Sequence, residues 1–385
     1  MIRRVAHLET VRELLRSFPV VAILGARQAG KTTLARELGK SSDQPVRSFD
    51  LEDPADLAQL TEPMLALREL RGLVILDEIQ RLPEIFPVLR VLSDREGTPA
   101  RFLVLGSASP DLLRQSSESL AGRIAYHPID GFALDEVGTD QLDQLWIRGG
   151  FPRSFLASSD AESSRWRREF VRAYLERDIP QLGIHVPSTV ISRFWSMLAH
   201  YHGQIWNASE LARSLALSDK TVRGYLAILA GTFMVDVVPP WFTNSAKRIV
   251  KSPRIYFRDS GILHTLLSLG TAEDVRRHPK LGASWEGFAF HEVNRRLGTI
   301  PEERFIWATH GGAELDLLVV RGSRRLGFEF KRSDSPSATR SMHVALEDLS
   351  LERLDVVHAG DHTFPLAERI RALSLKRILQ DLSPL

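Results

Sequence analysis

The sequence predicts an α/β fold: a parallel sheet in the first third, then a helical stretch, a helix-turn-helix with a hairpin, and a second, smaller α/β unit. Three observations carry this expectation. Aliphatic runs at residues 20–24, 73–76 and 101–105 alternate with helical periodicity between about residues 18 and 135. Strands apolar along their whole length belong in a sheet covered on both faces, and such sheets are parallel. A glycine-rich turn, residues 25–32, comes after the first run and opens a helix over residues 32–38.

Each element has its own signal. Gly25-Ala26-Arg27-Gln28-Ala29-Gly30-Lys31-Thr32 matches GxxxxGK[ST] in full. Glycines at this spacing let successive backbone N–H groups turn towards phosphate oxygens, and the helix N-terminus adds partial positive charge. Lys31 would then reach the β- and γ-phosphates of ATP, the Thr32 hydroxyl would ligate Mg2+, and Thr33 completes the phosphate-binding segment. The second run, Leu73-Val74-Ile75-Leu76, ends in Asp77-Glu78. Paired acids at the C-terminal edge of such a sheet suit magnesium binding by Asp77 and orientation or deprotonation of the attacking water by Glu78. The third run ends in Gly106-Ser107-Ala108-Ser109, where Ser107 would sense the γ-phosphate or merely cap the next helix. Arg123, in Ser119-Leu120-Ala121-Gly122-Arg123, would stabilise transition-state charge, in cis or in a neighbouring subunit's site, or form a surface salt bridge.

Together GARQAGKT, LVILDE, VLGSAS and SLAGR resemble the AAA+ ATPases of a widespread bacterial and archaeal family, in which the ATPase is fused to a C-terminal region of unknown function. The resemblance continues through Gly149-Gly150-Phe151-Pro152 and Tyr174-Leu175-Glu176-Arg177-Asp178-Ile179. It implies an AAA+ P-loop ATPase domain over residues 1–138 and a helical lid or linker over 139–186. A trans-acting Arg123 would require a homo-oligomer such as a ring. No second sensor arginine is found after the lid region.

Residues 187–257 read as a winged helix. One short helix runs over residues 208–217 and a second opens at Ser218 or Asp219, with Leu211, Ala212, Leu215, Val222, Leu226 and Leu229 as the packed faces. Lys220, Thr221, Arg223 and Tyr225 would face DNA, duplex or branched. Lys247, Arg248, Lys251 and Arg254 lie in a basic hairpin able to touch phosphates. Winged helices also serve as packing or oligomerisation modules.

Residues 258–385 run in the order helix, strand, strand, strand, helix, strand. Period-two alternation puts Glu314 and Asp316 on one face of one strand, and Glu329 and Lys331 on one face of the next. Asp followed by ExK resembles the PD-(D/E)xK nuclease superfamily, the restriction-endonuclease-like fold. Asp316 and Glu329 would be its magnesium ligands, Lys331 its water-activating group and Glu286 a helix-borne helper. A relic that keeps the fold without the chemistry fits the same residues.

Composition bounds these readings. The 385 residues exceed one ordinary core, and 43% hydrophobic with 25% charged residues is the balance of a soluble folded chain. No apolar run approaches the roughly 20 residues needed to span a bilayer. The first nine residues soon become charged and lack a signal-peptide core, so a cytoplasmic protein without membrane partners is expected. The absence of cysteine excludes disulfides, thiolate catalysis and cysteine zinc sites. His200 and His202 belong to no metal-ligand motif. A net charge of +2 places any nucleic-acid contact on local patches rather than on the whole chain.

Overall fold

The computed structural model describes residues 2–97, 99–109, 120–184, 186–242 and 250–385. The chain divides into two compact units. Met1–Gly131, Ala173–Val186 and Ala227–Met234 form the first; Phe132–Arg172, Pro187–Leu226 and Val235–Leu385 form the second. The helical stretch and the helix-turn-helix region therefore each contribute to both.

The first unit holds α1 (Val5–Ser17), β1 (Val20–Leu24), α2 (Lys31–Lys40), β2 (Val46–Asp50), β3 (Leu73–Asp77), α3 (Ile85–Ser93), β4 (Arg101–Gly106) and β5 (Ile124–Pro128). All five strands are parallel, in the order β2-β3-β4-β1-β5. Alternation within the apolar runs decides the two faces. Val20, Ala22, Leu24, Val74, Leu76, Phe102 and Val104 pack against Ile85, Phe86, Leu89 and Leu92 of α3. Val21, Ile23, Ile75, Leu103 and Leu105 pack against Leu8 and Val11 of α1 and Leu34, Ala35 and Leu38 of α2. The two edge strands carry no such run: only Phe49 of β2 and Ala125 of β5 are buried. The nucleotide motifs all fall at the C-terminal ends of β1, β3 and β4.

In the second unit, α4 (Ser188–Ala199), β6 (Gln204–Ile205), α5 (Ala208–Leu215), α6 (Asp219–Gly231), β7 (Val235–Val238) and β8 (Arg254–Phe257) succeed one another along the chain. The strands form an antiparallel sheet, β6-β8-β7. The last turn of α6 already belongs to the first unit. Asn207 caps α5 by accepting from the Glu210 N–H at 3.3 Å, and Ala216 ends it in the left-handed region. Leu211, Ala212, Leu215, Val222, Leu226 and Leu229 are buried, as the apolar spacing requires.

Then come α7 (Leu281–Leu297), β9 (Arg304–Ala308), β10 (Glu314–Arg321), β11 (Arg324–Lys331), α8 (Arg340–Asp348), β12 (Arg353–His358), β13 (Phe364–Ala367) and β14 (Ile370–Ser374). Their sheet order is β13-β14-β12-β11-β10-β9. Strand β11 is antiparallel to β10 and parallel to β12, and β14 adds a further parallel strand. No helix among the described residues is long and apolar enough to cross a membrane.

Gly287 sets the spacing between α7 and the three-stranded sheet. A Cβ there would lie 2.0 Å from His202 Nε2. His202 is buried, and its Nδ1 accepts from the Phe257 N–H at 3.0 Å. Burial, aided by His291 and His264, pushes its pKa down to about 3, so it is a neutral packing group. Gly287→Ala should therefore overpack this contact and cost about 1–3 kcal/mol. A lowered urea midpoint with an unchanged slope would be the signature.

Candidate functional site

The phosphate-binding turn is shaped by what surrounds it. A Cβ on Gly25 would meet the Ile129 carbonyl oxygen at 2.0 Å, and Gly30 enters α2 at φ +101°. Only glycine fits both demands. The turn is braced from the N-terminal segment: the buried Arg4 guanidinium donates to the Ala29 oxygen at 3.1 Å, Asp130 at 2.9 Å and Gly131 at 3.1 Å. Lys31 is buried too, and its Nζ donates to the Gly25 and Ala26 carbonyls and to Ser107 Oγ, each at 3.0 Å. Burial lowers its pKa against the opposing pull of Glu78 and Asp77. An ammonium held only by neutral oxygens has capacity for an anion.

Thr32 Oγ1 donates to Asp77 Oδ2 at 2.6 Å, which brings the two expected magnesium ligands together. Burial raises the Asp77 pKa and the Thr32 hydrogen bond opposes the rise. A hydroxyl and a carboxylate at this spacing are a hard-oxygen pair suited to Mg2+. Glu78 has φ +55°, a strained conformation for a non-glycine residue that recurs at functional sites. Its Oε2 accepts from Ser107 Oγ at 3.3 Å and from Gln80 Nε2, while Gln80 Oε1 accepts from the Ser107 N–H at 3.4 Å. Lys31, Thr32, Asp77, Glu78 and Ser107 thus converge. Gln28, at φ +63°, and Thr33 are exposed at the turn and on α2.

Arg27 is not a free phosphate ligand. It donates to Glu52 at 2.6 Å, Asp178 at 2.7 Å and Gln181 at 3.2 Å. Asp178 ends a π-helical segment, Tyr174–Asp178, that interrupts the preceding α-helix. Such interruptions often mark functional sites. The same segment presents the Tyr174 hydroxyl to Thr232 Oγ1 at 2.5 Å, and the Ser109 N–H donates to the Gly231 oxygen at 2.8 Å. The loop after β4 is therefore bonded to the end of α6. Arg4, Gln80, Tyr174 and Asp178 are not legible as site residues in the sequence, although the motif holding the last two is visible there as a family marker.

Arg123 takes the plainer of its two readings within its own chain. It precedes β5, its carbonyl accepts from the Val20 N–H, and it stands level with the start of β1, opposite the phosphate-binding edge. Its guanidinium grips Asp94 at 2.6 and 2.9 Å. Action in cis is excluded by this placement.

Glu286, Asp316, Glu329 and Lys331 of the second unit are gathered with Glu314, and Arg254, expected to touch phosphates from the basic hairpin, is instead buried among them. Arg254, on β8 and buried, donates to Asp316 and lies 3.4 Å from Glu314. The Phe330 N–H donates to the other Asp316 oxygen at 3.1 Å, and Lys331 Nζ stands 3.5 Å from Glu329. Burial would raise the Asp316 pKa, but Arg254 and Lys331 hold it below its ordinary value. Burial and the charge of Asp316 push Glu329 well above the carboxylate range and Glu286 up to about 7. A divalent ion would need the Asp316 carboxylate that the Arg254 guanidinium occupies, so the arrangement as it stands does not fit one. Among the described residues, no group of three or more His, Asp or Glu could hold a metal ion.

On the helix-turn-helix, Lys220 and Arg223 are exposed at the start of α6, and Thr221 is half-buried with its hydroxyl 2.8 Å from Ser218 Oγ. Tyr225 does not face outward. It is buried edge-to-face on Phe194, with ring centroids 5.6 Å apart, because its position falls on the apolar stripe with Val222 and Leu229. Lys251 is exposed, whereas Lys247 and Arg248 lie outside the described residues.

Residues 17–138 match the family described as an AAA domain. Residues 139–273 and 281–378 match two families described as domains of unknown function, DUF8612 and DUF4143. The chain is 48% identical over 369 residues to the uncharacterized protein Rv2008c of Mycobacterium tuberculosis and, equally, to the uncharacterized protein Mb2031c of Mycobacterium bovis. The alignments span 96% of this chain and 83% of each relative. Among solved structures, the Walker-type ATPase PABY2304 of Pyrococcus abyssi superposes with a TM-score of 0.49 at 14% identity, covering 69% of this chain and 96% of that one. That likeness is too distant to carry an argument. The mycobacterial relatives and the AAA match over the P-loop sheet agree with the geometry: the chain belongs to their family, an AAA-type P-loop domain followed by two domains without an assigned function.

Proposed function

We propose that this protein is a magnesium-dependent ATPase of the AAA+ type that acts on DNA, and that its C-terminal domain is nuclease-like in arrangement but does not cleave. The observation that carries the ATPase reading is the convergence of Lys31, Thr32, Asp77, Glu78 and Ser107 at one sheet edge. Lys31 would neutralise the β- and γ-phosphates. Thr32 and Asp77 would hold Mg2+, which supplies charge neutralisation on the phosphates when bound. Glu78 would take the proton of the attacking water, with Ser107 between that water and the γ-phosphate. Gln80 is a positioning residue that restrains the Glu78 carboxylate.

The DNA reading is supported by the order of α4, α5, α6 and the β6-β8-β7 sheet, which fits a winged helix with Lys220 and Arg223 exposed on α6. The Ser109–Gly231 and Tyr174–Thr232 bonds offer a route by which the γ-phosphate sensor and α6 influence each other. Arg123 would act only in a neighbouring subunit's site, in a homo-oligomer such as a ring.

A second reading, a nucleotide-controlled protein-interaction switch, is favoured by the Arg254–Asp316 closure and the burial of Tyr225. ATP turnover measured with duplex, branched and single-stranded DNA separates the two. Stimulation supports action on DNA; absence of both stimulation and binding supports the switch.

Glu78→Gln should retain ATP binding and lower turnover by about 100-fold or more, whereas Lys31→Ala should lose binding itself. Gln80→Ala should raise basal turnover without altering KM, because it releases Glu78; unchanged turnover would remove Gln80 from the mechanism. Arg254→Met should cost about 3–5 kcal/mol by removing the guanidinium that balances the buried Asp316 carboxylate, and Arg254→Met with Asp316→Asn should recover most of that loss. Denaturant unfolding of both variants checks this. Magnesium-dependent cleavage by the wild-type protein that is lost in Lys331→Ala would overturn the non-cleaving assignment.

A further inference from the structure

The first unit has a second concave feature, on the edge of the sheet opposite the phosphate-binding turn. A groove of about 1080 Å³ is framed by Pro19 before β1, Leu73 at the start of β3 and Arg101 at the start of β4, with α1 on one side. Five arginines line it: Arg12 and Arg16 of α1, then Arg71, Arg95 and Arg101. Asp43 is the single carboxylate in its wall among the described residues.

These arginines are bonded unlike Arg27 and Arg123. Arg27 and Arg123 are each locked to carboxylates. In the groove, Arg12 donates to the Ser41 hydroxyl, Arg71 to the Leu70 carbonyl, and Arg95 to the Arg68 carbonyl. None of the five forms an ion pair with an acid among the described residues. Their charge is left to the groove. A helix C-terminus attracts cations, and that accounts for Arg16 in the last turn of α1. Arg71 and Arg95 likewise reach the Arg68 carbonyl at the end of the helix Pro63–Arg68, whereas Arg101, at the start of β4, has no such partner among the described residues.

The spacing and the walls specify the ligand class. The cations enter from separate chain segments, which suits repeating anionic groups better than one small anion. Arginine forks match phosphate oxygens. Among the described residues the lining has no Phe, Tyr, Trp or His, so they offer no stacking platform of the kind that captures unpaired bases. Backbone contact with a duplex needs none.

The geometry points to this groove as a sequence-independent binding site for the phosphate backbone of a nucleic-acid duplex, separate from α6 and from the nucleotide site. The assignment rests on the proposed action on DNA and deepens it. It also leaves ATP access open, because the groove and the phosphate-binding turn occupy opposite ends of the same strands.

The test is fluorescence anisotropy of the full chain with a labelled mixed-sequence duplex across a salt series. Arg16→Ala with Arg101→Ala should weaken binding roughly tenfold or more and reduce the slope of log affinity against log salt by about two, equally for AT-rich and GC-rich duplexes. Arg16→Lys with Arg101→Lys should keep most of the slope, and basal ATP turnover should be unchanged in both variants. Wild-type affinity and slope in the alanine variant would overturn the groove assignment while leaving DNA action through α6 standing. No duplex binding by the wild-type protein would instead defeat the DNA reading itself. If the alanine variant loses binding of a poly-glutamate peptide but keeps the duplex, the groove belongs to an acidic protein partner and the assignment falls.

Discussion

An ammonium buried against neutral oxygens is the constraint on which the first unit turns. Lys31 is taken out of water and given two carbonyls and a hydroxyl, but no anion in contact. Such a charge is tolerated only where its surroundings hold their dipoles rigidly towards it. The neighbouring architecture meets that demand. Gly25 must lie flat against Ile129, Arg4 must tie the turn to residues 130 and 131, and the sheet must be covered on both faces so that the turn cannot relax.

The second unit solves the inverse problem by the opposite means. There the buried excess is negative, with Glu286, Asp316 and Glu329 drawn together, and the compensating charge is built into the chain as Arg254. One cluster has capacity for an incoming anion; the other carries its own counter-ion. The two clusters thus balance a buried charge by opposite means. A buried pair of this type adds little to stability on balance, yet removing one partner is costly, so it resists gradual change.

Legibility in the sequence tracks how local the cause is. The strands β1, β3 and β4 can be read because burial on both faces leaves an unbroken aliphatic run, and Lys31, Thr32, Asp77 and Glu78 because their spacing along the chain is the chemistry. β2 and β5 cannot: as edge strands they bury one residue each. Gln80, two residues past Glu78, escapes notice because a neutral amide has no signature until its hydrogen bonds are seen. Arg254 and Asp178 reach their partners across 62 and 151 residues, a distance no motif spans. Tyr225 is expected on the outer face for its chemistry, yet the apolar period places it between Val222 and Leu229. There a tempting chemical identity outweighs a plain geometric rule.

The π-helical segment has an implication for how this family can vary. A π turn accommodates one residue more than an α-helix does, so residues 174–178 are held in phase by their number as much as by their identity. Deleting a single residue there would let the helix become regular, with the residues outside the π turn keeping their phase and those within it shifting. The carboxylate of Asp178 would then swing away from Arg27, and every side chain could still be of an acceptable type. In this stretch the chain length itself is the conserved quantity to look for, and an insertion or deletion would be felt at the phosphate-binding turn before most substitutions were.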